Sequence, residues 1–170
     1  SEINYKFGTR FIPNTIYQKF LAEMLDQIPR ESDKANPDFV TIDYDKDSDV
    51  YRVELEMTNT YAVVDKYGYK NYSKSQSYAA DKLATTLLNQ RAPKIYQPDP
   101  DDPTGKKRIL DSEATAAIQE RGTELASQFE EWVMKSPEVQ AEIVKIYNER
   151  YNRSVVKLYD GSSLSVNGLA

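Results

Sequence analysis

The segment from residue 65 to residue 74 interleaves tyrosine with lysine, a combination that can bind nucleic acid. Lysines can neutralise phosphates while tyrosine rings stack on exposed bases, so this pattern predicts a nucleic-acid contact. The alternative is a tyrosine-rich turn that packs on a sheet edge and leaves its lysines in water. The candidate contacts in this segment are Lys66, Tyr69, Lys70, Tyr72 and Lys74.

A second basic cluster follows the segment 97–105, which is rich in proline and aspartate. This cluster consists of Lys106, Lys107 and Arg108. Its side chains are further candidate phosphate contacts, although a short basic run on its own is more often a solvated turn. The two clusters form one interface only if folding brings them to the same face.

Acidic residues in the segment 43–54 follow the spacing of a calcium-binding EF-hand loop. Oxygen ligands are needed at positions 1, 3, 5, 7 and 12 of such a loop, and here these positions are Asp43, Asp45, Asp47, Asp49 and Glu54. Position 6, which requires glycine for its sharp turn, is Ser48, and the flanks alternate like strands. An acidic hairpin turn is the preferred interpretation, and a calcium site is the alternative.

Composition excludes several catalytic chemistries. The chain contains no Cys and no His, which removes thiol nucleophiles, Cys/His zinc sites and His-based triads. The glycines are isolated, and neither a phosphate-binding loop nor a nucleophile elbow is present. We therefore predict no catalytic residue, no metal and no cofactor, with a carboxylate pair assembled by folding left open. The lack of Cys fits a cytoplasmic location, although disulfide-free secreted domains exist.

The charge of the chain is unevenly distributed. The net charge is −5, and both ends are acidic, with 7 basic and 12 acidic residues in 1–60 and 6 and 10 in 109–170. Residues 61–108 carry 9 basic and 5 acidic side chains, a local charge of +4. Because affinity for phosphate grows with the number of phosphates neutralised, any nucleic-acid contact is expected in this central third.

Hydrophobic periodicity predicts four elements in the first half of the chain. A helix is expected from residue 13 to about residue 27. Residues 39–57 are predicted to form a β-hairpin, because apolar residues alternate on both arms around the turn 45–49. A third strand is expected at 60–64 and a second helix at 75–88.

The second half of the chain is predicted to be mostly helical. Residues 94–96 and 107–110 are expected to pair as short strands across the proline-rich loop. Asp111 is a candidate N-cap for a long helix, and the Ser-Pro-Glu sequence at 136–138 is typical of a helix that starts again. From Ser154 onwards the tail is predicted to be extended.

These elements indicate an α+β fold in which helices pack a small antiparallel sheet and a long or bent helical hairpin follows. We divide the chain into an α+β core at 1–110, a helical hairpin that docks on this core at 111–153, and an extended tail at 154–170. The chain begins at Ser1 without an initiating Met. We therefore expect it to be a fragment of a longer protein.

Several segments, taken in order, resemble a region of much larger proteins. They lie at 8–13, 16–20, 87–89, 105–110, 113–115, 129–133, 147–152 and 159–164. The resembling region lies between the adenine-specific DNA methyltransferase domain and the Swi/Snf-type helicase domain of bacterial, phage and conjugative-element proteins. The Tyr-Asn-x-x-Tyr-Asn motif at 147–152 and the Tyr-Asp-Gly-Ser motif at 159–162 are its most specific part. Phe11 and Lys157 depart from the family, which often has Trp and Arg there.

The resemblance implies a non-catalytic accessory domain of a large methyltransferase–helicase protein, which contacts DNA or couples the two catalytic units. The implied partners are DNA and the neighbouring methyltransferase and helicase domains of the same chain, and not a membrane. No functional residue carries over from the family to this region. The alternative is a structural spacer or intramolecular docking module with no DNA contact, which the net acidity favours mildly.

Overall fold

The computed structural model describes residues 5–26, 39–55 and 67–167, with side chains up to Asn152. The helices are α1 (Asn14–Asp26), α2 (Ala80–Leu88), α3 (Ser112–Met134) and α4 (Pro137–Asn167). The strands are β1 (Val40–Asp45), β2 (Val50–Leu55), β3 (Tyr69–Asn71), β4 (Gln76–Tyr78), β5 (Tyr96–Pro98) and β6 (Arg108–Leu110). Antiparallel pairing of β1–β2, β3–β4 and β5–β6 gives three two-stranded sheets, so the predicted α+β class is confirmed.

The β1–β2 hairpin forms where the alternating apolar pattern predicts it. Ile42 pairs with Val53, and both side chains are buried. Arg52 and Glu54, at alternate positions of β2, are exposed. One face of the hairpin therefore packs inward. The predicted hairpin is confirmed over residues 39–55, and its last two residues, 56 and 57, lie outside the described residues.

An aromatic cluster between α1 and α3 forms the centre of the core. Tyr17 of α1 is 0% exposed, and its ring centroid lies 5.3 Å from that of Phe129 in α3. Phe7 and Phe20 contact Phe129 edge to face, with centroid distances of 5.4 and 5.2 Å. Such pairs contribute about 1 kcal/mol each beyond the burial of their area. The N-terminal turn, α1 and the long helix therefore share one core.

The two C-terminal helices form the predicted helical hairpin, and it packs on this core. Val133 near the end of α3 and Val139 and Ile143 of α4 are buried in the aromatic cluster. The side chain of Gln140 reaches back to the carbonyl of Val133 at 2.9 Å and closes the hairpin. None of the helices in the described part of the chain combines the length and apolar character needed to cross a bilayer.

A second, smaller cluster joins α2 and α3 to the two other hairpins. Its buried members are Tyr78, Leu83, Ile95, Ala114 and Ile118. The two helices approach closely because Gly122 of α3 has no side chain, and a Cβ there would lie 3.3 Å from the Cδ2 atom of Leu87. Leu87 packs against both clusters, so α2 links the two parts of the core.

The second helix begins later than the predicted residue 75. Residues 76–78 form β4, and α2 begins only at Ala80. Ser75 has a φ of 50°, a left-handed conformation that a helix does not accept, and Tyr78 pairs with Tyr69 of β3. Strand pairing and burial of the tyrosine therefore override the local helix propensity.

The extended tail predicted from Ser154 is wrong, because α4 continues to Asn167. Between Pro137 and Gly161 the sequence has neither Pro nor Gly, and helix propagation is cooperative once a first turn has formed. Gly161 costs only about 1 kcal/mol inside a helix. The third strand predicted at 60–64 lies outside the described residues.

The turn before α1 is fixed to the end of α2 at Gly8. This glycine has a φ of +109°, and a Cβ there would lie 2.9 Å from the carbonyl oxygen of Leu87. Its amide donates to the Tyr17 hydroxyl at 3.1 Å, and its carbonyl accepts from the Gln90 amide at 3.0 Å. Burial raises the pKa of the Tyr17 hydroxyl, which donates to the Thr9 carbonyl at 2.6 Å.

We predict that Gly8→Ala lowers the free energy of unfolding by about 3 kcal/mol. Alanine is strained at this positive φ, and its Cβ would also collide with the backbone carbonyl of Leu87. Gly105→Ala is the matched control. Gly105 also has a positive φ, +69°, but a Cβ there meets nothing within 4 Å, so its loss should be about 1 kcal/mol. Urea unfolding followed by circular dichroism measures both, and equal losses would contradict the tight contact at Leu87.

Candidate nucleic-acid interface

The β3–β4 hairpin carries the first predicted cluster of lysine and tyrosine. Lys70 pairs with Ser77, and both side chains are exposed. The neighbouring pair, Tyr69 and Tyr78, faces the opposite side and packs in the second cluster. Tyr72 in the turn is 67% exposed, and the Nζ atom of Lys70 lies 5.3 Å from its ring centroid. An ammonium group and an open ring therefore form the outward side of this hairpin.

The β5–β6 hairpin has an outward face of similar character. Tyr96 pairs with Leu110 and Pro98 with Arg108, and directly opposite residues point to the same side of a sheet. All four are exposed, Tyr96 by 46% and Leu110 by 43%. Lys94 lies on the same side of the extended chain, since it is exposed and the residue between it and Tyr96 is buried.

The carboxylate of Asp111 fastens the β3–β4 hairpin to the start of α3. Asp111 is 3% exposed, and its Oδ1 atom accepts the amide of Ala114 at 3.1 Å, as the predicted N-cap should. Its Oδ2 atom accepts from the Gln76 amide at 2.9 Å and lies 3.2 Å from the Lys74 ammonium. The bonds from Gln76, from Ala114 and from Lys74 hold the pKa of Asp111 below its ordinary value.

The carbonyl oxygen of Tyr96 joins the two hairpins. It accepts from the Gln76 amide of β4 at 3.4 Å and from the Arg108 guanidinium of β6 at 3.2 Å. The amide of Asp111 also donates to the carbonyl of Ile95 at 2.8 Å. The two basic clusters, which are far apart in sequence, therefore become neighbours around the N-terminus of α3.

Some of the predicted contact residues have other roles. Lys74 is bound to Asp111, and the ammonium of Lys107 lies 3.6 Å from the carboxylate of Asp99. Tyr69 is half-buried in the second cluster. Lys66 lies outside the described residues. Arg108 donates to the carbonyl of Tyr96. The predicted residues that are exposed on the two hairpins are Lys70, Tyr72, Lys74, Lys106, Lys107 and Arg108.

Sequence reasoning missed three members of this surface, which are Lys94, Tyr96 and Leu110. A weak signal existed for the first two, since they flank an apolar residue in an extended segment and therefore share one side of it. No signal existed for Leu110, because an apolar residue in a strand is expected to face the core. Its exposure follows from the register, which places it opposite Tyr96.

The acidic segment 43–54 forms the β1–β2 hairpin and not a helix-flanked calcium loop. A hydrogen bond from the Ser48 hydroxyl at 2.8 Å helps to lower the pKa of Asp45. Asp49 lies 3.4 Å from the Arg10 guanidinium. In the part of the chain that the structure describes, no group of three acidic side chains is placed to hold a metal ion. Asp45 thus accepts hydrogen bonds within the turn, whereas Asp49 pairs with a residue outside it.

A cavity of about 270 Å³ opens between α1 and α3. Aromatic rings form part of its wall, and the indole of Trp132 donates to the carboxylate of Glu23 at 2.6 Å. The second carboxylate in the wall, Glu131, lies 3.8 Å from the ammonium of Lys135. Both carboxylates are thus engaged, and the bond to Trp132 mainly fixes α1 against α3.

The comparisons with known proteins give a family for the chain. A family model described as a domain of unknown function (DUF8437) matches residues 6–153. The chain belongs to this family. The DUF8437 match contains all three hairpins, α1 to α3 and the first part of α4. No curated protein and no solved structure matches the chain significantly.

The junction at Asp111 can be tested by substitution in this DUF8437 domain. We predict that Asp111→Ala lowers the melting temperature more than Asp111→Asn. The asparagine oxygen can still cap α3, whereas alanine removes the cap and the bonds to β3–β4. Thermal unfolding at neutral pH measures both, and an alanine variant as stable as the wild type would contradict the role of the junction.

The same carboxylate should make stability depend on acid. Because the folded-state pKa of Asp111 lies below its unfolded value, the unfolded chain binds the proton first as the pH falls. The stabilisation is therefore present above about pH 4 and is lost as the pH falls towards the lowered pKa. Asp111→Asn should lose less stability than the wild type over this range, and parallel acid curves would contradict the assignment.

Proposed function

We propose that the domain is a non-catalytic accessory module of a large DNA methyltransferase–helicase protein and that it contacts DNA through the β3–β4 and β5–β6 hairpins. Two observations support the proposal. The sequence resembles the region between the two catalytic domains of such proteins. Folding also joins the two hairpins that carry the basic clusters, because Gln76 and Arg108 both donate to the carbonyl of Tyr96, and this observation carries the assignment of the surface.

The charges on the hairpins suit a phosphate backbone. Lys70, Lys94, Lys106 and Arg108 are exposed there, and the exposed aromatic rings lie between them in the chain. Two of the carboxylates nearby have a lysine beside them, since Asp111 is bonded to Lys74 and Asp99 lies beside Lys107. Asp101 and Asp102 lie in the loop between β5 and β6. A locally positive surface of this kind can bind phosphates on a chain whose net charge is −5.

The proposal includes the setting in which the domain works. Methyl transfer and ATP hydrolysis belong to the neighbouring domains of the parent protein, so this domain requires no cofactor of its own. Its partners are DNA and those two domains, in the cytoplasm of a bacterium or in a protein encoded by a mobile genetic element. A sequence-independent contact would suffice, because a coupling module has to hold the DNA and not to select a site.

Salt-dependent binding tests the proposal. We predict that the domain binds fluorescent oligonucleotides at low ionic strength and that binding weakens as salt is added. A variant with Lys70, Lys94 and Lys106 changed to Ala should bind at least about tenfold more weakly. Its salt slope should be smaller by about 2, because up to three phosphate contacts are lost. Fluorescence anisotropy at several salt concentrations measures both quantities.

The control variant changes Lys6, Lys19 and Lys145 to Ala. These lysines are exposed and lie away from the two hairpins, and their loss changes the net charge by the same amount. The control should bind as the wild type does. Equal weakening of both variants would show that only net charge matters. No salt-sensitive binding at low ionic strength would contradict the proposal itself.

The second candidate function is a structural spacer or docking module without DNA contact. It is favoured by exposed apolar side chains on the helical hairpin, Met134 at the end of α3 and Tyr151 in α4. Exposed apolar side chains of this kind can mark a surface that partner domains cover. This function would be favoured if the domain bound the separately produced helicase part in the absence of DNA. Met134→Ser or Tyr151→Ser should then weaken that binding.

A further inference from the structure

We propose that the outward face of β5–β6 binds single-stranded DNA in preference to duplex DNA, with a base stacked on the ring of Tyr96. This inference rests on the proposed function, because it specifies the form of DNA that the hairpin surface takes. It is carried by the side chains that share this face: Lys94, Tyr96, Pro98, Arg108 and Leu110.

The backbone that carries the ring of Tyr96 is held by hydrogen bonds. Its backbone carbonyl is held by Gln76 and Arg108, which belong to two different hairpins. Its cross-strand partner Leu110 is exposed to nearly the same degree. A ring and an aliphatic side chain directly opposite each other form a small apolar platform, which is the surface that the flat side of a base covers.

Cations lie close to this platform. Lys94 precedes Tyr96 by two positions, and Arg108 precedes Leu110 by two positions on the antiparallel strand. Two residues span about 7 Å along a strand, so the backbone positions of Lys94 and Arg108 lie on opposite sides of the apolar pair. The Arg108 side chain reaches back towards the pair, because its guanidinium donates to the carbonyl oxygen of Tyr96 at 3.2 Å. A strand whose base stacks on Tyr96 would therefore meet positive charge close by, where its phosphates run.

The composition of the face favours single strands over duplex. A two-stranded ribbon can enter the major groove, but there it reads base edges with polar side chains. Here Arg108 lies beside Tyr96, Leu110 and Pro98. The side chains of these three residues make few hydrogen bonds to base edges, but they can pack against the face of a base. In a duplex those faces are hidden in the stack, whereas a single strand exposes them.

The acidic loop between β5 and β6 should keep the nucleic acid on the strands of this hairpin. The carboxylate of Asp102 accepts the amide of Lys107 at 2.7 Å and is bonded to Thr104, and these bonds lower the pKa of Asp102. Asp101 is exposed at the tip. The negative charge of the loop repels phosphates, so the nucleic acid should follow the strands and not the loop.

Three oligonucleotides of one length test the inference on the full chain: oligothymidylate of about 12 nucleotides, the matching abasic strand, and a duplex. The abasic strand keeps the phosphates but has no base to stack. We expect the wild type to bind oligothymidylate at least about fivefold more tightly than the abasic strand. Tyr96→Ala should remove this difference, Tyr96→Phe should keep it, and Tyr151→Ala is the control tyrosine on α4.

The outcomes separate this inference from the proposed function. Equal affinity of the wild type for the base-bearing and abasic strands would overturn the stacking on Tyr96, whereas the proposed DNA binding would remain valid. This comparison requires no variant. Tighter binding of duplex than of oligothymidylate would overturn the preference for single strands. Absence of binding to all three DNAs would overturn both, and dimerisation that depends on Tyr96 would then assign the face to a second copy of the chain.

Discussion

The buried carboxylate of Asp111 is the contact on which the surface of the molecule depends. One of its oxygens caps α3, and the other binds Gln76 and Lys74 of the neighbouring hairpin. A charged group with so little exposed surface is tolerated because each of its oxygens is hydrogen-bonded and a cation lies beside it. Gln76 uses the same amide nitrogen for the carbonyl of Tyr96, so the β5–β6 hairpin joins this network. Without it, two short hairpins would each be marginal in water.

The aromatic cluster supplies the rigid frame behind this network. Tyr17, Phe20 and Phe129 hold α1 against the long helix α3. The first turn of α3 then presents Asp111 to the hairpins, while Leu87 of α2 joins the aromatic cluster to the second one. The packing of rings thus positions a polar junction about five turns away on the same helix, and the junction positions the exposed cations and rings. This chain of dependence explains how two short hairpins with exposed cations are held in place on a chain that is acidic overall.

Local pattern was enough to predict much of the fold. The alternation around the turn 45–49, the N-cap at Asp111 and the restart at Pro137 depend on neighbouring residues, and the structure confirms each of them. Long-range contacts were not predictable. Gln76 looked like the start of a helix, because its burial depends on a carboxylate 35 positions later. For the same reason the sequence suggested Lys74 as a DNA contact, whereas the structure uses it as the counter-ion of Asp111.

The central claim is that the two hairpins act as one nucleic-acid surface, and an NMR titration of the chain with a single-stranded oligonucleotide tests it most directly. Backbone amide signals near Lys70, Tyr96 and Arg108 should shift together with one dissociation constant, while those of α4 stay in place. Shifts confined to one hairpin, different constants for the two hairpins, or shifts centred on α4 would contradict the account.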